Sequence, residues 1–129
     1  MIAVDTNIIV RLLTGDDAAQ FQKAKQIFTS QDIFIPDTVI LETEWVLRFA
    51  YKFQPAAINT ALTKLLGLTN VRVARPETIA TAIDWHRQGL DFADALHLAA
   101  CHEQSKFLTF DTHLIRKAKR FSSCQVEVP

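Results

Sequence analysis

Two aspartates in this sequence stand where strands are expected to end. Asp5 directly follows the apolar run Ile2-Ala3-Val4, and Asp111 directly follows Phe107-Leu108-Thr109-Phe110. The carboxyl ends of parallel strands meet at one edge of an α/β sheet, and that edge is where ligands bind. We therefore expect the two carboxylates at the same edge and treat both as candidate site residues.

A third candidate lies on a helix predicted over residues 37–52. A helical wheel places Glu42 within the apolar stripe and Glu44 on the opposite, solvent-facing side, four residues before Arg48. Burying a lone carboxylate costs several kcal/mol unless a cation meets it, so the wheel favours Glu42 over Glu44 as a site residue. A buried arginine or backbone partner is the structural alternative for Glu42.

Asp94 is the fourth candidate. Asp91 has the position of a helix N-cap, and Asp94 then falls at the third helical position, where a capping box and the helix dipole both favour an acid. Asp111 has a similar structural alternative as the N-cap of the following helix. Asp5 has fewer structural reasons to be where it is, so it favours a functional site most strongly.

Four carboxylates at one edge would repel each other unless a divalent cation neutralised them. Oxygen ligands alone suit Mg²⁺ or Mn²⁺, whereas a zinc site from His97 and Cys101 lacks a second pair of ligands at suitable spacing. Acids that hold a metal point to attack of water on a phosphodiester. The sequence contains neither G-x-x-x-x-G-K-[ST] nor G-x-G-x-x-G, which argues against a nucleoside-triphosphate or dinucleotide enzyme.

The elements that must position these residues follow from the hydrophobic pattern. Short extended runs alternate with longer helical segments, which is typical of an α/β protein with a parallel sheet covered on both faces. Strands are predicted at 2–4, 33–35, 71–73, 107–110 and 126–128, and helices at about 6–14, 17–30, 37–52, 55–67, 76–88, 92–104 and 111–119. The 129 residues, 49% of them hydrophobic, predict a single globular domain over residues 1–129.

The charge balance restricts how the chain can meet a nucleic acid. Fourteen basic and 14 acidic residues give zero net charge, so any such surface must be a local patch. The clearest basic patch is the segment 116–120, and Arg11 is a second candidate. No apolar run approaches about 18 residues and the N-terminal segment has no basic region, which predicts no membrane span, no export and a cytoplasmic location.

Four short motifs give the chain a family resemblance. They are Asp5-Thr6-Asn7, Leu41-Glu42-Thr43-Glu44-Trp45-Val46-Leu47, Asp91-Phe92-Ala93-Asp94-Ala95 and Leu108-Thr109-Phe110-Asp111. The four candidate acids, Asp5, Glu42, Asp94 and Asp111, are spaced 37, 52 and 17 positions apart. In this order and spacing the sequence resembles the PIN-domain ribonucleases, specifically the VapC-like toxins of bacterial toxin–antitoxin pairs. The resemblance covers essentially the whole chain.

The resemblance carries expectations about site, fold and partners. It makes Asp5, Glu42, Asp94 and Asp111 the catalytic, metal-binding cluster for Mg²⁺ or Mn²⁺, with Asp91 and Thr109 as neighbours and Thr6 or Asn7 as supporting groups. It implies a three-layer α/β/α sandwich around a mostly parallel five-stranded sheet, a homodimer, and a small cognate antitoxin whose tail enters the groove. The expected function is a metal-dependent endoribonuclease toxin. The alternative is a non-catalytic PIN-like module that binds RNA or protein.

Overall fold

Seven helices and five short strands alternate along the chain in the computed structural model, which describes residues 1–129. The helices are α1 (Thr6–Thr14), α2 (Ala18–Ser30), α3 (Asp37–Phe49), α4 (Pro55–Leu66), α5 (Pro76–Arg87), α6 (Phe92–Ala100) and α7 (Thr112–Ala118). The strands are β1 (Ile2–Ala3), β2 (Ile33–Phe34), β3 (Val71–Arg72), β4 (Lys106–Leu108) and β5 (Gln125–Glu127). Every predicted element is present, and the main differences are that α3 and α6 end three and four residues earlier than predicted.

The helix boundaries follow from local chemistry. Asp17 caps α2 by accepting a hydrogen bond from the backbone N–H of Gln20 at 2.9 Å. Pro55 begins α4 at a position where its missing N–H costs nothing. Gly15 ends α1 with a φ of 64°, a left-handed conformation that favours glycine.

Residues Met1–Pro76 form one compact unit, called unit 1 here. Its three strands are parallel in the order β1-β2-β3, with Ile2 opposite Ile33 and Ile33 opposite Val71. Its core contains fully buried aliphatic side chains from α1, α3, α4 and the segment of β2, namely Ile9, Ile33, Ile35, Ile40, Leu47, Ile58 and Leu62. Each such side chain contributes about 1.5–3 kcal/mol of burial free energy, and this core holds α1 against α3.

Residues Glu77–Pro129 form the second compact unit, unit 2. Strands β4 and β5 are parallel, with Phe107 opposite Val126. Phe92, the first residue of α6, is fully buried and meets the buried ring of His86 edge to face at 5.4 Å. This packing fixes the start of α6, where Asp91 and Asp94 lie.

The predicted α/β class with parallel strands is confirmed. Hydrogen bonds join the five strands in a set of three within unit 1 and a set of two within unit 2. None of the helices combines the length and the apolar character needed to cross a bilayer. The single domain over residues 1–129 stays a prediction.

Candidate active site

Asp5 and Glu42 share one partner, Thr6. Asp5 follows β1 and caps α1, and its Oδ1 accepts a hydrogen bond from the backbone N–H of Thr6 at 2.7 Å. The Thr6 side chain hydroxyl donates a short hydrogen bond to Oε1 of Glu42 on α3. Thr6 is buried, whereas both acids are exposed. Unit 1 therefore brings two of the predicted site acids together around one buried hydroxyl.

The capping role of Asp5 is a structural function that the sequence analysis underrated. An aspartate that accepts from a first-turn N–H stabilises a helix start by about 1 kcal/mol. This role occupies Oδ1 and leaves Oδ2 for another ligand. The same division holds for Glu42, whose Oε1 accepts from Thr6 and whose Oε2 remains available.

The predicted orientation of α3 is wrong. The buried residues of this helix are Ile40, Thr43, Glu44 and Leu47, so Glu44 faces the core and Glu42 faces solvent. Trp45 and Phe49, which lie on the same side of the helix as Glu42, are 54% and 47% exposed. Apolar residues lie on both sides of this helix, and the wheel selected the wrong side.

A local ion pair explains how Glu44 is buried. Its side chain is 1% exposed, and its two oxygens accept hydrogen bonds from Nε and Nη2 of Arg48 at 2.8 and 3.2 Å. The predicted pairing of these residues is thus confirmed, but with the Glu44 carboxylate buried instead of exposed. The Arg48 guanidinium also lies 4.5 Å from the ring centre of Phe49, which packs on Trp45 at 5.1 Å.

Unit 2 gathers its acids around the start of α6. Asp91 caps the helix, as predicted, and its Oδ2 accepts from the backbone N–H of Asp94 at 3.2 Å. The pKa of Asp94 is raised, first by burial and then by the negative charges of Asp91 and Asp111. His97 and Lys117 oppose this effect. Asp94 is therefore in a negative environment that a cation would relieve.

Asp111 is oriented by the backbone around it. Its Oδ1 accepts from the backbone N–H groups of His113 and Leu114 at 3.0 and 3.1 Å, which confirms its predicted role as the cap of α7. Its own N–H donates to Oγ1 of Thr109 at 3.0 Å. Thr109, a predicted neighbour of the site, thus holds the backbone of Asp111, and Oδ2 of that acid is left outside the cap.

The donor chemistry fits a hard divalent cation. The candidate ligands in both units are carboxylates without a thiolate or imidazole among them, which suits Mg²⁺ or Mn²⁺ better than Zn²⁺. Within neither unit are three His, Cys, Asp or Glu side chains grouped closely enough to hold a metal ion.

Arg11, a predicted contact for nucleic acid, is already engaged. Its Nη1 lies 3.2 Å from Oδ1 of Asp16 and 3.0 Å from the hydroxyl of Tyr51, and its Nε donates to Gln20 at 2.7 Å. Tyr51 in turn donates to Oδ2 of Asp16 at 2.6 Å. These contacts balance the charge of Arg11 within the chain, which disfavours its predicted contact with a nucleic acid.

Comparison with known proteins places the chain in a family. No curated protein sequence matches it. Among solved structures, it is similar to VapC20 from Mycobacterium tuberculosis, a sarcin–ricin loop cleaving toxin, with 23% sequence identity and a TM-score of 0.46 over 97% of this chain and 99% of that one. The sequence model of the PIN domain matches residues 2–120. Because that match spans nearly the whole chain, the protein belongs to the PIN-domain family.

Proposed function

We propose that this PIN-domain protein is a metal-dependent endoribonuclease that acts as the toxin of a toxin–antitoxin pair. Family membership and the VapC-like motifs support this activity. The observation that carries the proposal is the arrangement of Asp5 and Glu42 about Thr6. A fold gains little from an exposed glutamate held by a buried hydroxyl, whereas a metal site needs its carboxylates oriented.

The proposed metal ligands are Asp5 and Glu42 of unit 1 and Asp94 and Asp111 of unit 2, with Mg²⁺ or Mn²⁺ as the cation. When bound, the cation supplies activation of water and neutralisation of charge on the leaving oxygen. The chain's own contribution is orientation. Thr6 fixes one oxygen of Glu42, and backbone N–H groups fix one oxygen of Asp111.

The proposal includes the biological setting that the resemblance implies. The chain forms one PIN domain over residues 1–129, acts in the cytoplasm as a homodimer, and is inhibited by a small cognate antitoxin. Its substrate is RNA, whose phosphodiester bonds it hydrolyses. The non-catalytic binding module is the alternative that the following experiment separates.

The first prediction tests the chemistry directly. The purified protein should cleave RNA with Mg²⁺ or Mn²⁺, and a chelator should abolish cleavage. Asp5→Asn should lower kcat/KM by about 100-fold or more, because electrostatic preorganisation is lost. Glu103→Gln, a change of an exposed acid on the loop after α6, is the matched control and should retain full activity.

Three outcomes would contradict this proposal. Cleavage that survives exhaustive chelation would exclude metal dependence. RNA binding without cleavage under either metal would favour the non-catalytic alternative. Normal turnover by Asp5→Asn would mean that the site lies elsewhere.

A further inference from the structure

Phe110 is an aromatic side chain held in solvent beside a proposed metal ligand. It lies between Thr109 and Asp111, and 82% of its surface is exposed. Leu108, two residues earlier, is 54% exposed. An apolar surface of this kind at the edge of a proposed active site favours a binding role.

Phe110 has the sequence position of a hydrophobic staple, but its ring does not pack on the following helix. Phe110 immediately precedes the N-cap of α7, the position from which a hydrophobic staple packs onto the fourth helical residue, here Ile115. An exposed fraction of 82% excludes such a staple. The ring therefore remains open to a partner.

The backbone on both sides of Phe110 is fixed. The N–H of Thr109 donates to the carbonyl of Glu127 at 3.1 Å, which extends the pairing of β4 with β5. The N–H of Asp111 donates to Oγ1 of Thr109 at 3.0 Å. Phe110 is thus presented at a set position relative to the Asp111 carboxylate.

The basic residues near Phe110 in the sequence indicate the chemical class of its partner. Residues 106–121 contain five basic side chains and one acidic side chain, Asp111, in a chain of zero net charge. All five basic residues are exposed, but Lys106 pairs with Glu127 at 2.7 Å. The basic surface therefore consists of Arg116, Lys117, Lys119 and Arg120. An exposed aromatic ring with a basic surface is the combination by which proteins bind single-stranded nucleic acid, through base stacking and phosphate contacts.

We propose that Phe110 stacks on a base of single-stranded RNA next to the bond that is cleaved, while the basic segment 116–120 contacts neighbouring phosphates. This inference rests on the proposed ribonuclease function. Phe110 then positions the substrate relative to Asp111 and takes no part in the bond-breaking step. Because every base has a π face, the stacking tolerates any base and favours unpaired RNA.

The experiment uses a 12-nucleotide single-stranded RNA that the wild-type protein cleaves at a mapped position. Binding of the fluorescein-labelled RNA is measured by anisotropy with Mg²⁺ in an Asp5→Asn background, which prevents cleavage. Phe110→Ala should weaken binding about 5- to 150-fold, the range for loss of one stacked base. Phe110→Leu should lose most of the affinity, whereas Phe110→Trp should keep it.

A second RNA identifies the stacked base. Two further copies of the 12-mer each lack the base of one nucleotide that flanks the cleavage position. For one of these two RNAs, Phe110→Ala should cause almost no further loss of binding affinity, because the base on which the ring stacks is already missing. The salt dependence of binding should stay unchanged in Phe110→Ala and become weaker in Lys119→Ala. Leu68→Ala, which truncates another exposed apolar residue, should bind like its parent.

The possible failures are distinguishable. If the wild-type protein cleaves no single-stranded RNA, the proposed function and this inference fail together. If it cleaves RNA but Phe110→Ala binds like its parent, or Phe110→Leu binds like Phe110→Trp, the stacking role alone is wrong. A shift from dimer to monomer in Phe110→Ala, with RNA affinity unchanged, would assign the ring to contact with a second copy and overturn the proposal.

Discussion

At the scale of single residues, Thr6 connects two requirements of the candidate site. Its backbone N–H donates a hydrogen bond to the Asp5 carboxylate, and its hydroxyl donates one to the Glu42 carboxylate. The hydroxyl restricts the orientation of Glu42, although solvent around the exposed carboxylate keeps the contribution of this hydrogen bond to stability small. Because Thr6 is buried, only a side chain of similar shape fits its position without loss of packing.

Two substitutions of Thr6 distinguish the contribution of its hydroxyl from the contribution of its packing. Thr6→Val keeps the side chain volume but removes the donor, so affinity for Mn²⁺ and kcat/KM should fall about 10-fold or more, as for other groups that orient metal ligands. Thr6→Ser keeps the donor and should stay within a few-fold of wild type. Isothermal titration with Mn²⁺ and RNA cleavage assays check both variants. Equal behaviour of the two would show that the hydroxyl has no part in the site.

At the scale of secondary-structure elements, α3 carries two glutamates on opposite faces, and the two have different roles. Glu44 faces the core and is satisfied by Arg48 within the same helix. Glu42 is exposed and is held by Thr6 of α1. Because the two glutamates are only two residues apart, a variant of one is a control for the same variant of the other.

Glu44→Gln should destabilise the fold by about 1–3 kcal/mol, because it replaces a buried charged acceptor of Arg48 with a neutral one, and it should leave metal binding nearly unchanged. Glu42→Gln should weaken metal binding and cleavage with little effect on the free energy of unfolding. Denaturant unfolding and Mn²⁺ titration measure the two effects. A loss of metal affinity in Glu44→Gln at unchanged stability would contradict the orientation of α3.

The connection between α1 and α2 depends on Asp16. The hydrogen bond from Tyr51, then the one from Thr14, and the charge of Arg11 lower the pKa of Asp16 below its ordinary value of 3.8. A lowered pKa in the folded state means that ionised Asp16 stabilises the fold above pH 3.8. That contribution is lost as the pH falls through the lowered pKa.

Asp16→Asn should therefore lower the melting temperature at pH 7, and the difference from wild type should close as the pH falls below 3.8. Thermal unfolding followed by circular dichroism over this pH range measures the difference. Asp32→Asn, which changes another exposed acid of unit 1, is the control variant for the loss of a surface charge. A constant difference at all pH values would show that the carboxylate charge is not what stabilises this connection.

At the scale of the whole molecule, the order of elements was predictable because its signals are local. Capping aspartates, Gly15 and Pro55 determine helix ends within a few residues of sequence. The contact of Thr6 with Glu42 was not predictable, because it depends on how α1 packs on α3. The orientation of α3 was missed for a similar reason, since an internal pair with Arg48 makes burial of Glu44 favourable and no apolar pattern reports it.

Charge also differs between the whole molecule and its parts. The net charge of zero gives the protein no long-range attraction for RNA. The excess of basic residues over 106–121 gives one segment of unit 2 a local attraction for RNA. Affinity for RNA should therefore depend on a few cations, and ionic strength should affect it through them.

The exposed face of α3 carries three side chains of different character. Glu42, Trp45 and Phe49 follow one another at spacings of three and four residues, so they lie along one side of the helix. A macromolecule that covers the aromatic pair comes within one turn of a proposed metal ligand. A partner that also contacts the Glu42 carboxylate would change the metal affinity, and metal occupancy would then change the affinity for that partner by the same factor.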